Sequence, residues 1–212
     1  MFDLVSIIKA GGYFAVFGII FAESGLLIGF FLPGDSLLFT AGFLSSQGYL
    51  DIRILAPLCF IAALSGDSFG YAIGKRLGPK IFTREDSLIF NKNHVARAQA
   101  FYERHGGKAI TLARFTPVIR TFAPIVAGVG KMRYSAFLFY NTLGALIWAV
   151  GVSLAGYFLG NRFPGIDHYL LPIILVIMLT SIMPGIIHIV RDGADRAKIK
   201  AGIKKIFSGK EK

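Results

Sequence analysis

The sequence predicts an all-α integral membrane protein organised as an inverted-topology repeat. Each half is expected to be a re-entrant helical hairpin plus a spanning helix, with an extra spanning helix at the C-terminal end. Three observations predict this. Hydrophobic residues make up 54% of the 212, mean hydropathy is +0.62, and only 17% are charged, where a soluble domain carries about 25% charged residues. Two short apolar stretches are interrupted by proline beside charge, at Leu32-Pro33-Gly34-Asp35 and at Arg114-Phe115-Thr116-Pro117. Pieces of the chain also match one another at a constant offset of 86 residues.

Residues 1–12 read as a short, mildly amphipathic start that ends at Gly11-Gly12. They lack a basic leader region and a small-residue cleavage site, so no removable signal peptide is expected. Residues 13–31 are apolar apart from Glu23 and Ser24, and then the Pro-Gly-Asp-Ser turn leads into a second apolar arm. Two short arms around a Pro-Gly break suit a re-entrant hairpin over 13–45. Such backbone is tolerated at membrane depth only when buried in protein or lining a wet cavity. One ordinary span over 13–31 with a loop at Pro33 is the alternative.

Residues 54–74 are long enough to cross ~30 Å of hydrocarbon and hold one acid, Asp67. Residues 75–108 are polar and basic. Within them 93–105 reads as an amphipathic surface helix, with Gly106 as its C-cap. The stretch 112–128 carries Arg114 and Arg120 with Pro117 and Pro124. Arginine at bilayer depth costs at least ~2.5–3.5 kcal/mol, so two of them beside helix breakers require a purpose. Residues 135–160 form a span without charge, holding Asn141 and the single tryptophan, Trp148. Residues 169–190 form the final span, and 191–212 are a basic tail.

The net charge of +11 comes from clusters, which read as topology signals rather than a nucleic-acid footprint. The segments 75–108, 131–133 and the tail are basic and are expected in the cytoplasm. The stretch 13–45 then dips in from outside, and 106–130 enters from the cytoplasmic side. The expected organisation is one membrane domain over 1–190: repeat one at 13–76, a link at 77–106, repeat two at 107–162 and the last span at 169–190. The matched pieces are Ala41-Gly42 with Ala127-Gly128, and residues 70–76 with 156–162, sharing G-Y-x-[IL]-G-x-R. In transporters of this architecture the substrate site lies near the midplane, where the broken segments meet.

Five charged residues lie in or beside apolar stretches: Glu23, Asp35, Asp67, Arg114 and Arg120. Arg114 and Arg120 are the candidate anion holders, because guanidinium stays charged and grips phosphate bidentately. The alternative is that each is locked to Glu23 or Asp35 and never meets ligand. Glu23 and Asp35 are candidate proton or ion carriers, since a carboxylate beside an arginine in a dry site can change protonation as ligand comes and goes. Asp35 could instead cap the following helix. Asp67 and Asn141 read as supporting polar groups between helices. The four histidines are scattered, Cys59 stands alone in an apolar run, and no metal site or cofactor motif is present in the sequence.

These residues resemble the DedA family of bacterial inner-membrane proteins, also called the VTT or SNARE-associated Golgi protein group. The resemblance rests on Glu23, Pro-Gly-Asp-Ser-Leu-Leu at 33–38, Ala41-Gly42, Gly66-Asp67 and Gly-Tyr-Ala-Ile-Gly-Lys-Arg-Leu-Gly at 70–78. It continues through Arg-Phe-Thr-Pro-Val-Ile-Arg at 114–120, 127–132, Phe137, Asn141, Gly144-Ala145, Trp148 and 156–160. It implies two facing re-entrant hairpins and a flippase returning undecaprenyl phosphate, or a related anionic phospholipid, across the inner membrane with proton or cation coupling. It also maps an essential acidic pair onto Glu23 and Asp35 and an arginine pair onto Arg114 and Arg120. The rival expectation is a proton/cation antiporter supporting proton-motive force and pH or osmotic tolerance. A lipid phosphatase is the weakest rival, because the arginine stretch holds threonines but no His, Asp or Glu. The expected partners are anionic lipid, protons or monovalent cations and the membrane, with no nucleic acid and with homo-oligomerisation left open. The expected location is the bacterial inner membrane, multi-pass, with the C-terminus in the cytoplasm.

Overall fold

The computed structural model describes residues 4–26, 32–81, 104 and 106–162. The amphipathic helix expected at 93–105, Arg104 aside, lies outside the described residues. So do the last span at 169–190, the tail and all four histidines. Every element among the described residues is helical. They are α1 (Leu4–Gly25), α2 (Gly34–Ser46), α3 (Ile52–Ile81), α4 (Lys108–Ala113), α5 (Pro117–Val129) and α6 (Tyr134–Arg162).

Among the described residues, three helices are long and apolar enough to cross a membrane: α1, α3 as far as Leu77, and α6. The short helices α2 and α5 have 13 residues each, which is roughly 20 Å of rise and less than the ~30 Å of a hydrocarbon core. The amphipathic start is not separate from the first span as expected. It is continuous with α1 across a kink at Gly12, whose φ of 53° and ψ of −139° are open to a residue without a side chain. Gly106, expected as a cap, has a φ of +64°.

Local chemistry explains the break between α4 and α5. A residue before proline is pushed out of the helical region, and Thr116 is extended at φ −120°, ψ 109°. Pro117 then opens α5 at its first turn, where its missing N–H costs nothing. Pro124 lies inside α5 and removes the N–H that would bond the Arg120 carbonyl. Inside α6 the residues Leu146–Val150 form one π turn, a device that widens a helix by a residue.

α2 packs along the C-terminal half of α6, and both α1 and α5 pack on α3. The two crossings of a short helix with a long one are alike. At the first, a methyl group on Gly42 would overlap the Ser153 backbone, and one on Gly156 would overlap the Phe39 carbonyl. At the second, Gly128 is closed in by the Tyr71 carbonyl and Gly74 by the Ile125 carbonyl. Backbones at such distances can touch only through glycine.

Two apolar clusters form the core. The larger draws on Val16, Ile20, Leu37, Leu38, Leu55, Cys59 and Ala149, with Trp148 at its margin. The smaller gathers Tyr71, Ile110, Ala123, Ala127 and Phe137. Trp148 from the first and Ile110 and Ala123 from the second line one common void with Arg114 and Arg120. The charged groups therefore collect where the two clusters meet.

Candidate functional site

Five elements converge on this junction. Glu23 comes from the last turn of α1, Asp35 from the first turn of α2, and Asp67 from the middle of α3. Arg114 sits in the turn between α4 and α5, Arg120 in the first turn of α5, and Asn141 and Trp148 on α6. Glu23, Asp67, Arg114 and Asn141 are buried, and Trp148 is 4% exposed.

The charges sort into two networks. In one, Arg120 Nη1 donates to Asp35 Oδ1 at 2.7 Å and Arg120 Nη2 donates to Glu23 Oε1. In the other, Arg114 Nη1 donates to Asp67 Oδ2 at 2.6 Å and to Asn141 Oδ1 at 2.7 Å. Asn141 Nδ2 donates in turn to the Leu64 carbonyl at 3.5 Å. Trp148 joins the two: its indole N–H donates to Asp35 Oδ1 at 2.6 Å. Its ring lies 4.7 Å from the Arg120 guanidinium carbon and 5.3 Å from that of Arg114, within cation–π range.

All six residues singled out from the sequence are brought together, though not in the expected pairs. Glu23 and Asp35 share Arg120, whereas Arg114 takes Asp67 and Asn141. Asp67 thus holds a buried cation in place as well as joining helices. The capping alternative for Asp35 is not realised, because α2 has no side-chain cap bond and the carboxylate is spent on Arg120 and Trp148. Sequence reasoning did not nominate Trp148 for the site. The signal was available, as it is the single tryptophan of the chain and lies midway along the uncharged span.

Gly34 makes the Glu23–Arg120–Asp35 arrangement possible. A Cβ there would occupy the space of the Glu23 carboxylate, so α2 must begin without a side chain for α1 to end against it. The second carboxylate oxygen, Glu23 Oε2, is buried with no hydrogen-bond partner among the described residues. Ser36 Oγ and Thr40 Oγ1 on α2 are in the same condition.

The site has an enclosed side and an open side. Arg114, Arg120, Trp148, Asp67 and Ser24 surround a void of about 10 Å³, the size of one water. Arg114, Arg120, Asp35 and Trp148 also line a wider cavity of about 470 Å³, whose remaining wall is Phe39, Phe115, Ile147, Val152 and Ala155 with Gly151. Chemically, this sets two fixed cations, a carboxylate and an indole donor in the wall of an otherwise apolar chamber. Three carboxylates face the two guanidiniums, so a further anion can enter only if a carboxylate is displaced or neutralised. No cluster of three or more His, Cys, Asp or Glu among the described residues could hold a metal ion.

The chain matches the VTT domain over residues 32–158, which takes in every site residue except Glu23. It is 46% identical over 181 residues to Protein DedA of Escherichia coli K12, covering 84% of this chain and 82% of the relative. It is also 46% identical over 169 residues to an uncharacterized membrane protein of Mycobacterium leprae, covering 80% and 75% respectively. Inner membrane protein YqjA of Escherichia coli K12 is 33% identical over 149 residues, covering 70% of this chain and 68% of the relative. No solved structure matches. With a domain match over more than half its length, and a relative this close over most of both chains, the protein belongs to the DedA family of VTT-domain membrane proteins.

Proposed function

We propose that the protein carries an anionic lipid, undecaprenyl phosphate or a related phospholipid, across the bacterial inner membrane, coupled to protons or monovalent cations. The observation that carries this reading is the cavity of about 470 Å³, lined by Arg114, Arg120, Trp148 and Asp35 and otherwise by apolar residues. A phosphomonoester needs the cations and a hydrocarbon tail needs the apolar wall. Two relatives bear the name inner membrane protein, which supports the location. A cytoplasmic C-terminus rests on the distribution of Lys and Arg.

The coupling follows from charge. A phosphate taking the Nη1 or Nη2 bond that Arg120 now gives a carboxylate displaces Asp35, Glu23 or both. A protonated carboxylate surrenders its arginine far more cheaply than an ionised one. Glu23 Oε2, buried and without a hydrogen-bond partner among the described residues, is the atom at which a proton could reside. Protonation would therefore accompany loading of the headgroup, and release of the proton would restore the ion pairs and expel it.

The inverted repeat is the frame for this transport. Its support is the matched crossings: Gly42 of α2 on α6 and Gly128 of α5 on α3, positions that correspond at the offset of the internal repeat. α2 and α5 are then the inner arms of two re-entrant hairpins, and moving one half against the other would turn the site from one leaflet to the other.

The test is leaflet-resolved transport of polyprenyl monophosphate in proteoliposomes, with and without an imposed pH gradient. Movement of the lipid that responds to the gradient is the expected result. The excess of carboxylates over arginines also suits a proton/cation antiporter with Glu23 and Asp35 as the ion path. Proton flux of undiminished rate in vesicles lacking any polyprenyl phosphate would favour that reading instead.

A further inference from the structure

Trp148 belongs to neither ion-pair network, yet it contacts both. Its N–H and Arg120 Nη1 converge on the same atom, Asp35 Oδ1, at 2.6 and 2.7 Å. An indole N–H is a donor and never an acceptor. The two donors therefore make a cradle for one anionic oxygen, and Asp35 Oδ1 fills it. Asp35 is also the most accessible of the three carboxylates: its side chain is 16% exposed, against 7% for Asp67 and 2% for Glu23. It lines the wide cavity together with Trp148. A headgroup entering through that cavity meets Asp35 first and the indole N–H beside it.

We propose that the Trp148 indole N–H is a direct ligand of the phosphomonoester headgroup, donating to a phosphate oxygen in the place that Asp35 Oδ1 vacates. This rests on the lipid-phosphate reading above and names a residue of its site. The cradle loses no donor in the exchange, because Arg120 and Trp148 both turn from a carboxylate oxygen to a phosphate oxygen. The ring has a second task. Lying against both guanidiniums, it keeps them aimed at the cavity when Asp35 withdraws. It also lines both the enclosed void and the open cavity.

The chain provides its own reporter, because Trp148 is the single tryptophan. Emission of the purified full-length protein in detergent is titrated with farnesyl monophosphate, with farnesol and with inorganic phosphate. The expected result is a saturable change with farnesyl monophosphate and none with farnesol. A response to inorganic phosphate alone would still support the ligand role, and would assign free phosphate rather than lipid as its source. No response to either phosphate, from protein that does transport polyprenyl phosphate, overturns the proposal and leaves the transport reading standing. Absence of transport by the wild type would instead overturn that reading.

Trp148→Phe removes the N–H and keeps an aromatic face. It is expected to weaken apparent affinity for the lipid phosphate by roughly 10- to 100-fold, the worth of one hydrogen bond to a charged group, while the maximal rate changes only a few-fold. Trp148→Leu, which lacks the face as well, is expected to lose both. Wild-type affinity in Trp148→Phe overturns the proposal. Should that variant fail to fold, the wild-type titration decides alone.

Discussion

Arg114 and Arg120 are the same residue type on one short apolar stretch, but their surroundings differ in kind. Arg114 is clamped by Asp67 and Asn141, which belong to the two long helices α3 and α6, and both side chains of its ion pair are nearly closed off, at 6% and 7% exposure. Arg120 is held by Glu23 and Asp35, which sit at the ends of α1 and α2, and its pair with Asp35 is 12% and 16% exposed. The first pairing fixes the turn between α4 and α5 to the long helices. The second joins the ends of α1 and α2 to α5, and two of its members, Asp35 and Arg120, line the wider cavity. Burial and the stiffness of the partner, rather than residue identity, separate a brace from a grip.

The largest effect is expected of Arg114→Ala. It leaves Asp67 as an uncompensated buried acid, and loss of one member of such a pair costs about 3–5 kcal/mol. A large drop in the thermal unfolding midpoint in detergent is expected. Combining Arg114→Met with Asp67→Leu should restore most of that stability, because apolar pairs of similar volume replace buried ion pairs at little cost. An Arg114→Ala protein as stable as the wild type would refute the brace.

Arg120→Lys comes next and reads out on transport instead of folding. Lysine can keep an ion pair with one carboxylate but lacks the planar fork that serves two oxygens at once. Transport of polyprenyl phosphate is expected to fall by about 100-fold or more, the equivalent of one to two charge-assisted hydrogen bonds, with an unfolding midpoint close to the wild type. Full transport by this variant would remove the distinction between the two arginines.

Gly42→Ala and Gly128→Ala act at the two helix crossings, away from both arginines. Each added methyl group meets backbone at a crossing, and overpacking of this kind costs roughly 1–3 kcal/mol. Both variants should lose stability by similar amounts without a change in headgroup affinity, measured by the tryptophan titration. Unequal losses would mean that the two crossings are not equivalent.

Much of the fold was legible in the sequence because apolar length and proline position act locally. The breaks at Pro33 and Pro117 and the spans over α3 and α6 follow from those two rules. The site residues were legible for a related reason: a charge in an apolar run is expensive, so each of Glu23, Asp35, Asp67, Arg114 and Arg120 stood out. Their pairing was not legible. Which acid meets which arginine depends on how α1, α2 and α3 approach α5, and no local pattern encodes that. Trp148 was passed over because an aromatic residue in an apolar helix is ordinary, and its role depends on a donor atom aimed at a residue 113 positions away.

The widened turn at Leu146–Val150 bears on how α6 serves two neighbours at once. Upstream of it, Asn141 faces Arg114 and Gly144 lies against the Arg114 side chain; downstream, Gly156 and Gly160 face α2. An extra residue in one turn shifts the phase of all that follows by about 100°. Deleting a single residue there would straighten the rod and swing its lower half about a quarter-turn out of step with its upper half. One end could then keep its seat only if the other gave it up. The irregularity thus acts as a phase corrector between the end of the helix that faces Arg114 and its glycine-lined end.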